Sequence, residues 1–449
     1  MQRLMFFSSL VCLLFLYGCG GGGEDTPPTP QFYQTVLHTP IQVSDVSKFN
    51  KGDPAVAHGE GVNFVVWADD RDNFNQFHGE DIWGAIVTSE GRLVKFFPLI
   101  KRSGRDILPY VIYDSETRRF VAIWISYGSG IGGSTISTAI VDLNGNIVSQ
   151  KVLSLSTTFV ENPSIKSIPG GFVLAYKSIC SGLMGCGTDL IGSKVGVLAI
   201  TDKDFNIKRS ITFTDETSYG LKTEPLYIAF DCDKKDTCFV AYKQEKQILR
   251  SDGFHVYGKF ININTGEVGQ EIRLTDEVYG KYGVSKHLVD VTYGKDRYLV
   301  TWTDGDSEQG LISSDLTGKI VISQQNISKD ILISDFRSDK RANIRTGLAG
   351  VVSYAKIAYS EATNRFYAVW VDSRSGFPLE PDLFYRRINN DGTFYDKDCI
   401  KIVRMSSKTP WIAIGSNYIF VTFANAGVRK EHGLFTSEVF GIVLSKQLL

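Results

Sequence analysis

The chain has 449 residues and a formal net charge of −1, with 48 Lys and Arg against 49 Asp and Glu. A near-neutral chain lacks the basic field that a nucleic-acid-binding surface needs, so we expect no nucleic-acid partner. Hydrophobic residues make up 43% and aromatic residues 12% of the chain, enough to bury the core of one large repeat domain or of two to three ordinary domains.

The first 18 residues have the pattern of a secretory signal peptide. Arg3 precedes an apolar run over residues 4–17 that is too short for a comfortable membrane span. The run ends in Leu16-Tyr17-Gly18-Cys19, which resembles the lipobox of bacterial lipoproteins. The resemblance implies cleavage before Cys19, lipid on its sulfur and, since Gly20 follows, the outer membrane. An ordinary signal peptide followed by an incidental cysteine is the alternative.

Residues 19–30 contain GGGGEDTPPTP, whose glycines supply flexibility and whose prolines supply extension. We therefore expect a signal peptide over 1–18, a lipidated cysteine and tether over 19–30, and one folded domain over 31–449. No later stretch approaches 18 consecutive apolar residues, so the lipid is the only membrane contact that the sequence predicts.

Seven cysteines are present, of which Cys12 leaves with the signal peptide. Two close pairs follow in an exported chain, Cys180 with Cys186 and Cys232 with Cys238, and both predict local disulfides. Zinc binding is the alternative for each pair, but no histidine or second cysteine pair stands at a suitable spacing. Cys399 is left over and is predicted to be a buried thiol.

Seven aromatic residues, each closing a β-rich run, recur at spacings of 52 to 68 residues. They are Trp67, Trp124, Tyr176, Tyr242, Trp302, Trp370 and Phe423. In each unit one strand-like run precedes the aromatic run and another follows it, and in six units a Gly or Asn turn and a fourth run come next. Four strands per unit, repeated radially, predict an all-β seven-bladed β-propeller with antiparallel blades.

The seventh unit stops after three strand-like runs, while residues 35–44 (TVLHTPIQVS) form one unassigned run after the tether. We predict that residues 35–44 complete the last blade by pairing antiparallel with the run around residues 439–444. Closing the ring in this way removes the exposed edges that an open ring would keep.

The first unit contains P-x-V-A, F-x-V-V-W-x-D-x-R and D-I-x-G, followed by a Gly turn. This pattern resembles a repeat of secreted bacterial propeller proteins. Unit six keeps it in Trp370 to Arg374 and in Asp382 to Phe384, whereas units three, four and seven lose the Asp and the Arg. The resemblance implies the fold and no single activity, because propellers host many functions.

The strand order places two sets of short turns on one face and the long, dissimilar loops on the other. The short sets are the first-to-second and third-to-fourth turns. The second-to-third loops and the blade-to-blade crossovers make up the other face. Because variable loops on a rigid scaffold are the usual seat of binding, we expect the partner at the long-loop face.

Charged and aromatic residues beside the aromatic strands are the candidate binding residues, and they could ring a central opening and hold a polar ligand. They are Asp69, Arg71, Trp83, Asp304, Asp372 and Arg374. The alternative is that each Asp and Arg caps a strand end or pairs between blades. Residues 304–308 (DGDSE) also alternate oxygen ligands as calcium loops do, but they lack the full loop. We expect no metal and no cofactor.

No catalytic motif stands out, since G-x-S-x-G and the S-x-D-x-G-x-T-W turn of sialidases are both missing from the sequence. The favoured hypothesis is an outer-membrane lipoprotein whose propeller is a non-catalytic binding or scaffold module for protein or glycan. The alternative is an envelope polysaccharide-active hydrolase or lyase with carboxylates in the funnel. The sequence leaves the partner and the oligomeric state open.

Overall fold

The computed structural model describes sixteen stretches of the chain and is all-β throughout them. They are residues 34–35, 38–45, 50–71, 79–102, 104–128, 133–155, 159–179, 193–214, 226–244, 255–275, 289–306, 313–334, 352–372, 381–405, 407–429 and 435–446. Within these stretches the chain forms 30 strands and no helix. The described residues therefore contain no helix long and apolar enough to cross a membrane.

The strands build seven sheets, numbered here as blades 1 to 7 in chain order. Two short strands come first, β1 (Gln34–Thr35) and β2 (Ile41–Gln42). Blade 1 contains β3 (Lys51–Gly59), β4 (Val62–Asp69), β5 (Asp81–Thr88) and β6 (Leu93–Pro98). Blade 2 contains β7 (Arg105–Asp114), β8 (Arg119–Tyr127), β9 (Ser134–Val141) and β10 (Ile147–Val152). Blade 3 contains β11 (Val160–Ile168), β12 (Gly171–Ile179), β13 (Lys194–Asp202) and β14 (Ile207–Thr212).

Blades 4 to 7 follow the same up-and-down order. Blade 4 contains β15 (Leu226–Cys232), β16 (Thr237–Gln244), β17 (His255–Asn262) and β18 (Ile272–Arg273). Blade 5 contains β19 (Asp290–Gly294), β20 (Arg297–Asp306), β21 (Ser313–Ser323), β22 (Asn326–Ile327) and β23 (Ile331–Leu332). Blade 6 contains β24 (Val352–Ser360), β25 (Arg365–Asp372), β26 (Asp382–Asn389) and β27 (Ile400–Val403), and blade 7 contains β28 (Ser407–Ile414), β29 (Tyr418–Arg429) and β30 (Phe435–Ser445). In blade 5, β22 and β23 both pair with β21.

The first strands of the blades contact one another in sequence and close a ring from β28 back to β3. Seven apolar clusters fill the interfaces, one between each neighbouring pair of blades. The aromatic residues that close the second strands lie inside these clusters; Trp67, Trp124 and Trp370 are fully buried. The prediction of a seven-bladed β-propeller is therefore confirmed.

The ring closes through the N-terminal segment, as predicted. Strand β2 pairs antiparallel with β30, placing Ile41 opposite Gly441 and Gln42 opposite Phe440. Val43 continues the pairing by donating its N–H to the Val439 carbonyl at 2.9 Å, and its side chain is fully buried. Joining the two ends of the chain in one blade leaves no open edge at the closure.

The beginning of the same segment departs from the prediction, because β1 pairs with blade 6 instead of blade 7. It runs parallel to β27, with Gln34 opposite Ile400 and Thr35 opposite Lys401. Strand β27 is the outermost strand of the blade 6 hairpins, so its outer edge offers unpaired N–H and C=O groups to an added strand. The segment therefore lies along the outer edges of two blades.

A repeated contact joins several neighbouring blades, since a side chain of the fourth strand reaches the third-to-fourth turn of the following blade. Lys95 Nζ donates to the Gly145 carbonyl at 3.0 Å, and Arg209 Nη1 donates to the Asn264 carbonyl at 2.7 Å. At the closure Ile41 takes the equivalent place beside Gly91, which has φ +88°. A Cβ on Gly91 would lie 2.2 Å from the Ile41 side chain, so both φ and space require glycine there.

The two faces of the propeller differ as the strand order predicts. The face that carries the first-to-second and third-to-fourth turns is called the turn face below, and the opposite one the loop face. The Cys232–Cys238 disulfide bridges β15 and β16 at the turn face, as predicted. Cys399 is a buried thiol, also as predicted. The Cys180–Cys186 pair lies outside the described residues.

Candidate functional site

The Asp two residues after the repeat tryptophan accepts its indole N–H in blades 1 and 6, whereas the Trp302 indole N–H of blade 5 has no hydrogen-bond partner among the described residues. The Trp67 indole N–H donates to Asp69 at 3.0 Å, and the Trp370 indole N–H donates to Asp372 at 3.4 Å. In blade 2 a serine replaces this Asp, and the Trp124 indole donates instead to Asp106 at 2.9 Å. Blades 3, 4 and 7 have Tyr or Phe at this position and no Asp. A buried indole N–H favours an acceptor, so packing explains the Asp of blades 1 and 6.

Arg71 and Trp83 close the same cluster in blade 1. The Arg71 guanidinium lies 2.6 Å from Asp69 and 2.6 Å from Asp45, and its carbon lies 3.8 Å from the centre of the Trp83 ring. Burial lowers the pKa of Arg71, but Asp69 and Asp45 together raise this pKa by more than burial lowers it, so the net shift is upward. Asp69 is 1% and Trp83 7% exposed. The cluster therefore fastens blade 1 to the residues that follow the closing strand.

The other candidates are not brought to this cluster. Asp372 is fully buried at the end of β25. Asp304 lies opposite Asp315 in the backbone register of β20 and β21. Arg374 lies outside the described residues, as does the second half of the suggested calcium loop. Three of the six candidates thus meet in one cluster. A ligand-binding role for any of the six stays a prediction. Among the described residues no group of three or more His, Cys, Asp or Glu side chains could hold a metal ion.

A cavity of about 1300 Å³ occupies the centre of the ring and opens on the turn face. All seven first strands supply its walls, and the first-to-second turns form its mouth. The long, dissimilar loops predict binding at the loop face, whereas the cavity formed by the described residues opens on the opposite face. Large parts of the second-to-third loops lie outside the described residues, so the loop-face prediction remains untested.

Six side chains from six blades form the channel ring, a set around the axis of this cavity. They are Tyr110, Lys166, Asp231, Asp290, Lys356 and Trp411. Tyr110, Asp290, Lys356 and Trp411 occupy the same position in their blades, each opposite the residue that precedes the repeat aromatic. Lys166 and Asp231 stand two residues further along, facing the same side of their strands.

The half of the channel ring in blades 3 to 6 is ionic. Lys166 pairs with Asp231 at 3.1 Å, and Lys356 pairs with Asp290 at 3.4 Å. Each Asp also accepts a main-chain N–H of the next blade, from Tyr293 at 2.9 Å and from Ile357 at 3.0 Å. Burial lowers the pKa of Lys166, but Asp231 and the neighbouring Tyr110 and Asp290 raise this pKa by more. The net shift is upward, so Lys166 stays charged.

The half in blades 7, 1 and 2 is aromatic and apolar. Trp411 and Tyr110 meet edge to face with ring centres 4.7 Å apart, and blade 1 adds Val56 and Ala57 to the wall between them. The Lys356 ammonium lies 4.2 Å from the centre of the Trp411 ring and joins the two halves. The cavity is therefore two-sided.

Three tyrosines at the mouth have fixed hydroxyl groups. Tyr113 donates to Glu60 at 2.8 Å, Tyr359 to Asn364 at 2.6 Å and Tyr293 to the Lys295 carbonyl at 2.5 Å. Burial and the neighbouring Glu60 raise the pKa of Tyr113 to about 12, so its hydroxyl remains a donor.

Glycines of the preceding blade make room for two of these rings. A Cβ on Gly59 would lie 2.2 Å from the Tyr113 ring, and a Cβ on Gly294 would lie 2.5 Å from the Tyr359 ring. The same device therefore serves the mouth at two separate blade interfaces.

Every carboxylate that lines the cavity is held by a cation or a main-chain N–H. Besides Asp231 and Asp290, Glu116 meets Lys203 at 3.1 Å and accepts the Gly170 N–H. Asp233 accepts three N–H groups of its own turn, and Glu361 pairs with Lys234. Burial lowers the pKa of His58, which keeps that residue neutral at pH 7. Five lysines balance the five acids among the lining residues.

Residue types alone could not identify the channel ring in the sequence, because no single type is common to its six members. The signal that could have found them was positional: four lie opposite the residue that precedes the repeat aromatic, and two lie two residues further along. A bulge interrupts six of the seven first strands just before this position.

No family model matches the chain, and no curated protein sequence matches it. Solved structures do resemble it. The polysaccharide lyase Uly1 aligns with a TM-score of 0.51 at 9% identity over 94% of this chain and 94% of its own. The phage phi92 endosialidase aligns with 0.49 at 8% over 91% and 69%, and the β-propeller domain of the Trilobed protease from Pyrococcus furiosus with 0.47 at 12% over 89% and 94%. At such low identity, only the fold is shared.

Proposed function

We propose that this protein is a lipid-anchored outer-membrane protein whose propeller is a non-catalytic binding module for protein or glycan. The observation that carries the binding role is the engagement of all five carboxylates in the central cavity. A glycoside hydrolase needs one carboxylic acid that keeps its proton and a second carboxylate set apart from it. Each of these five is instead tied to a lysine or to main-chain N–H groups, so they hold structure at the cavity wall.

The lipid anchor is proposed from Leu16-Tyr17-Gly18-Cys19. Cys19→Ser should release the protein from the membrane fraction, and mass spectrometry of the parent should find acyl groups on the N-terminal peptide. A Cys19→Ser protein that stays as membrane-bound as the parent, together with an unacylated parent, would refute the anchor.

The binding role is tested by blocking the cavity. Ser115 is exposed at the mouth, so Ser115→Cys can be labelled with a bulky polyethylene-glycol maleimide. Affinity capture from the native envelope should recover a partner with the unlabelled protein and lose it with the labelled one. Labelling at an exposed residue remote from the cavity, Val94→Cys on β6, is the matched control. If the two labelled proteins capture the same partners, the cavity is not the binding site.

A polysaccharide hydrolase or lyase is the second candidate function, and Asp53 favours it. Burial and then the charge of Glu80 raise the pKa of Asp53, as a general acid requires. Burial and the charge of Asp53 raise the pKa of Tyr354, which belongs to the first strand of blade 6. Reducing-end and unsaturated-product assays on envelope and plant polysaccharides test this activity. Turnover that is lost in Asp53→Asn would replace the binding proposal.

A further inference from the structure

We infer that the central cavity takes a neutral oligosaccharide through the turn face. This inference rests on the proposed binding function and adds to it the site and the chemical class of the ligand. It places the ligand on the face with short turns, where the sequence patterns predicted no site.

The size of the cavity fits several sugar rings. Pockets for drug-sized molecules measure roughly 300–1000 Å³. The cavity here measures about 1300 Å³, and the first-to-second turns surround its mouth. An extended chain end can therefore enter along the axis, with its terminal ring at the channel ring and the following rings between the mouth tyrosines.

The two-sided wall matches the two sides of a sugar ring. A pyranose presents C–H groups on one face and hydroxyl groups around its edge. Trp411, Tyr110 and the apolar residues of blade 1 offer aromatic and aliphatic surface for the C–H face. Across the channel, the Lys166–Asp231 and Asp290–Lys356 pairs offer charged donors and acceptors for hydroxyl groups.

The charge balance selects a neutral ligand. Five lysines and five acids line the cavity, and two of each are joined in the ion pairs of the channel ring. At the channel ring, a carboxylate or an ammonium group on the ligand would have to displace a partner from one of these pairs, and a partly buried charge that loses its partner is costly. Hydroxyl groups can instead add hydrogen bonds without separating the ions.

The mouth is preorganised for the same ligand. The hydroxyl groups of Tyr113, Tyr293 and Tyr359 are held by local acceptors, and glycines seat two of the rings. Because these aromatic groups lose little freedom on binding, they contribute affinity at a small entropic cost.

Tryptophan fluorescence provides the assay, because only one of the six tryptophans lines the cavity. Trp67, Trp83, Trp124, Trp302 and Trp370 are at most 7% exposed inside the blades, whereas Trp411 lines the wall. The probes are cellohexaose, maltohexaose, xylohexaose and arabinohexaose, with hexagalacturonate and a charged heptapeptide as counter-probes. We expect saturable binding of at least one neutral hexasaccharide, a fluorescence change that Trp411→Phe removes, and no binding of either counter-probe.

Two further variants localise the binding. Trp411→Ala should weaken calorimetric affinity at least tenfold, while Phe96→Ala, which removes an exposed aromatic side chain on the outside of blade 1, should leave it unchanged. If Trp411→Ala fails to fold, the labelled Ser115→Cys protein serves in its place and should lose binding completely.

The outcomes separate this inference from the proposed function. Preferred binding of hexagalacturonate or of the peptide, or no binding of any neutral probe, overturns the ligand class. If the cavity label still removes the captured partner in that case, the binding function stands and only the saccharide assignment fails. If the label leaves capture unchanged, the proposed site itself is wrong.

Discussion

Two clusters of this propeller combine the same chemical groups and differ in what surrounds them. In blade 1, Asp69, Arg71 and Trp83 are packed together, with Asp69 1% and Trp83 7% exposed and the Arg71 side chain 13% exposed. In the channel ring, lysines, aspartates and aromatic residues make similar contacts but border a cavity of about 1300 Å³. The types of residue are therefore a poor guide to a binding site, and access to solvent is what separates the two clusters.

The positions that repeat along the chain also differ from those that line the cavity. The Trp and Asp of blade 1 recur in blades 5 and 6, because every blade interface has to fill a similar space. The position of Tyr110 holds a different kind of residue in most blades, from Ala55 in blade 1 to Trp411 in blade 7. Where this position lines the cavity, as for Tyr110, Asp290, Lys356 and Trp411, its side chain also borders open space, so its type can differ from blade to blade.

The largest expected effect comes from breaking the closed cluster. Asp69→Ala leaves the Arg71 guanidinium without its most buried partner and the Trp67 indole without an acceptor. We expect a loss of about 3–5 kcal/mol in the free energy of unfolding, because one partner of a buried pair is removed. Urea unfolding measures the loss. An unchanged midpoint would show that Asp45 alone satisfies Arg71.

Overpacking the mouth should have the next largest effect. Gly59→Ala would place a methyl group within 2.2 Å of the Tyr113 ring, whereas Gly52→Ala in the same strand meets no atom within 4 Å. We expect the first variant to lose about 1–3 kcal/mol and the second to change little. Thermal unfolding of the pair checks this. Equal melting temperatures would mean that the ring shifts freely and that the mouth is less rigid than the structure indicates.

Removing one cation of the channel ring should cost less. Lys356→Met keeps the stem beside Trp411 but ends the pair with Asp290, which still accepts the Ile357 N–H. We expect a loss of roughly 1–2 kcal/mol, between the values for buried and for exposed pairs. Lys234→Met, which removes a fully exposed pair with Glu361, is the control and should have no measurable effect. A loss as large as that of Asp69→Ala would remove the distinction between the two clusters.

The smallest effect concerns pH at the rim. Hydrogen bonds from Arg118 and then Tyr113 lower the pKa of Glu60 from 4.5 to about 2. A carboxyl whose pKa is lower in the folded state stabilises the protein above pH 4.5, and this contribution is lost as the pH falls towards 2. Glu60→Gln should lack that component, so the stability curves of parent and variant should converge with falling pH. Parallel curves would contradict the assignment.

The sequence by itself determined the architecture of this protein. Regular spacing of seven aromatics and four strand-like runs per unit predicted the blades, because each strand must bury one set of side chains between neighbouring sheets. Counting strands predicted that residues 35–44 close the ring against residues 439–444, which Ile41 and Gln42 do, and cysteine spacing predicted the Cys232–Cys238 bridge.

Only the tertiary structure decided which charged and aromatic residues meet. Tyr110 and Trp411 are 301 positions apart and Lys356 and Asp290 are 66 positions apart, and no local pattern records that ring closure brings them to one channel. The parallel pairing of Gln34–Thr35 with blade 6 could likewise not be predicted from the sequence, because an unpaired edge is a property of the assembled sheet. Packing leaves its mark on the sequence as a repeat, whereas a cavity arises where the repeat leaves space, so its position became known only with the fold.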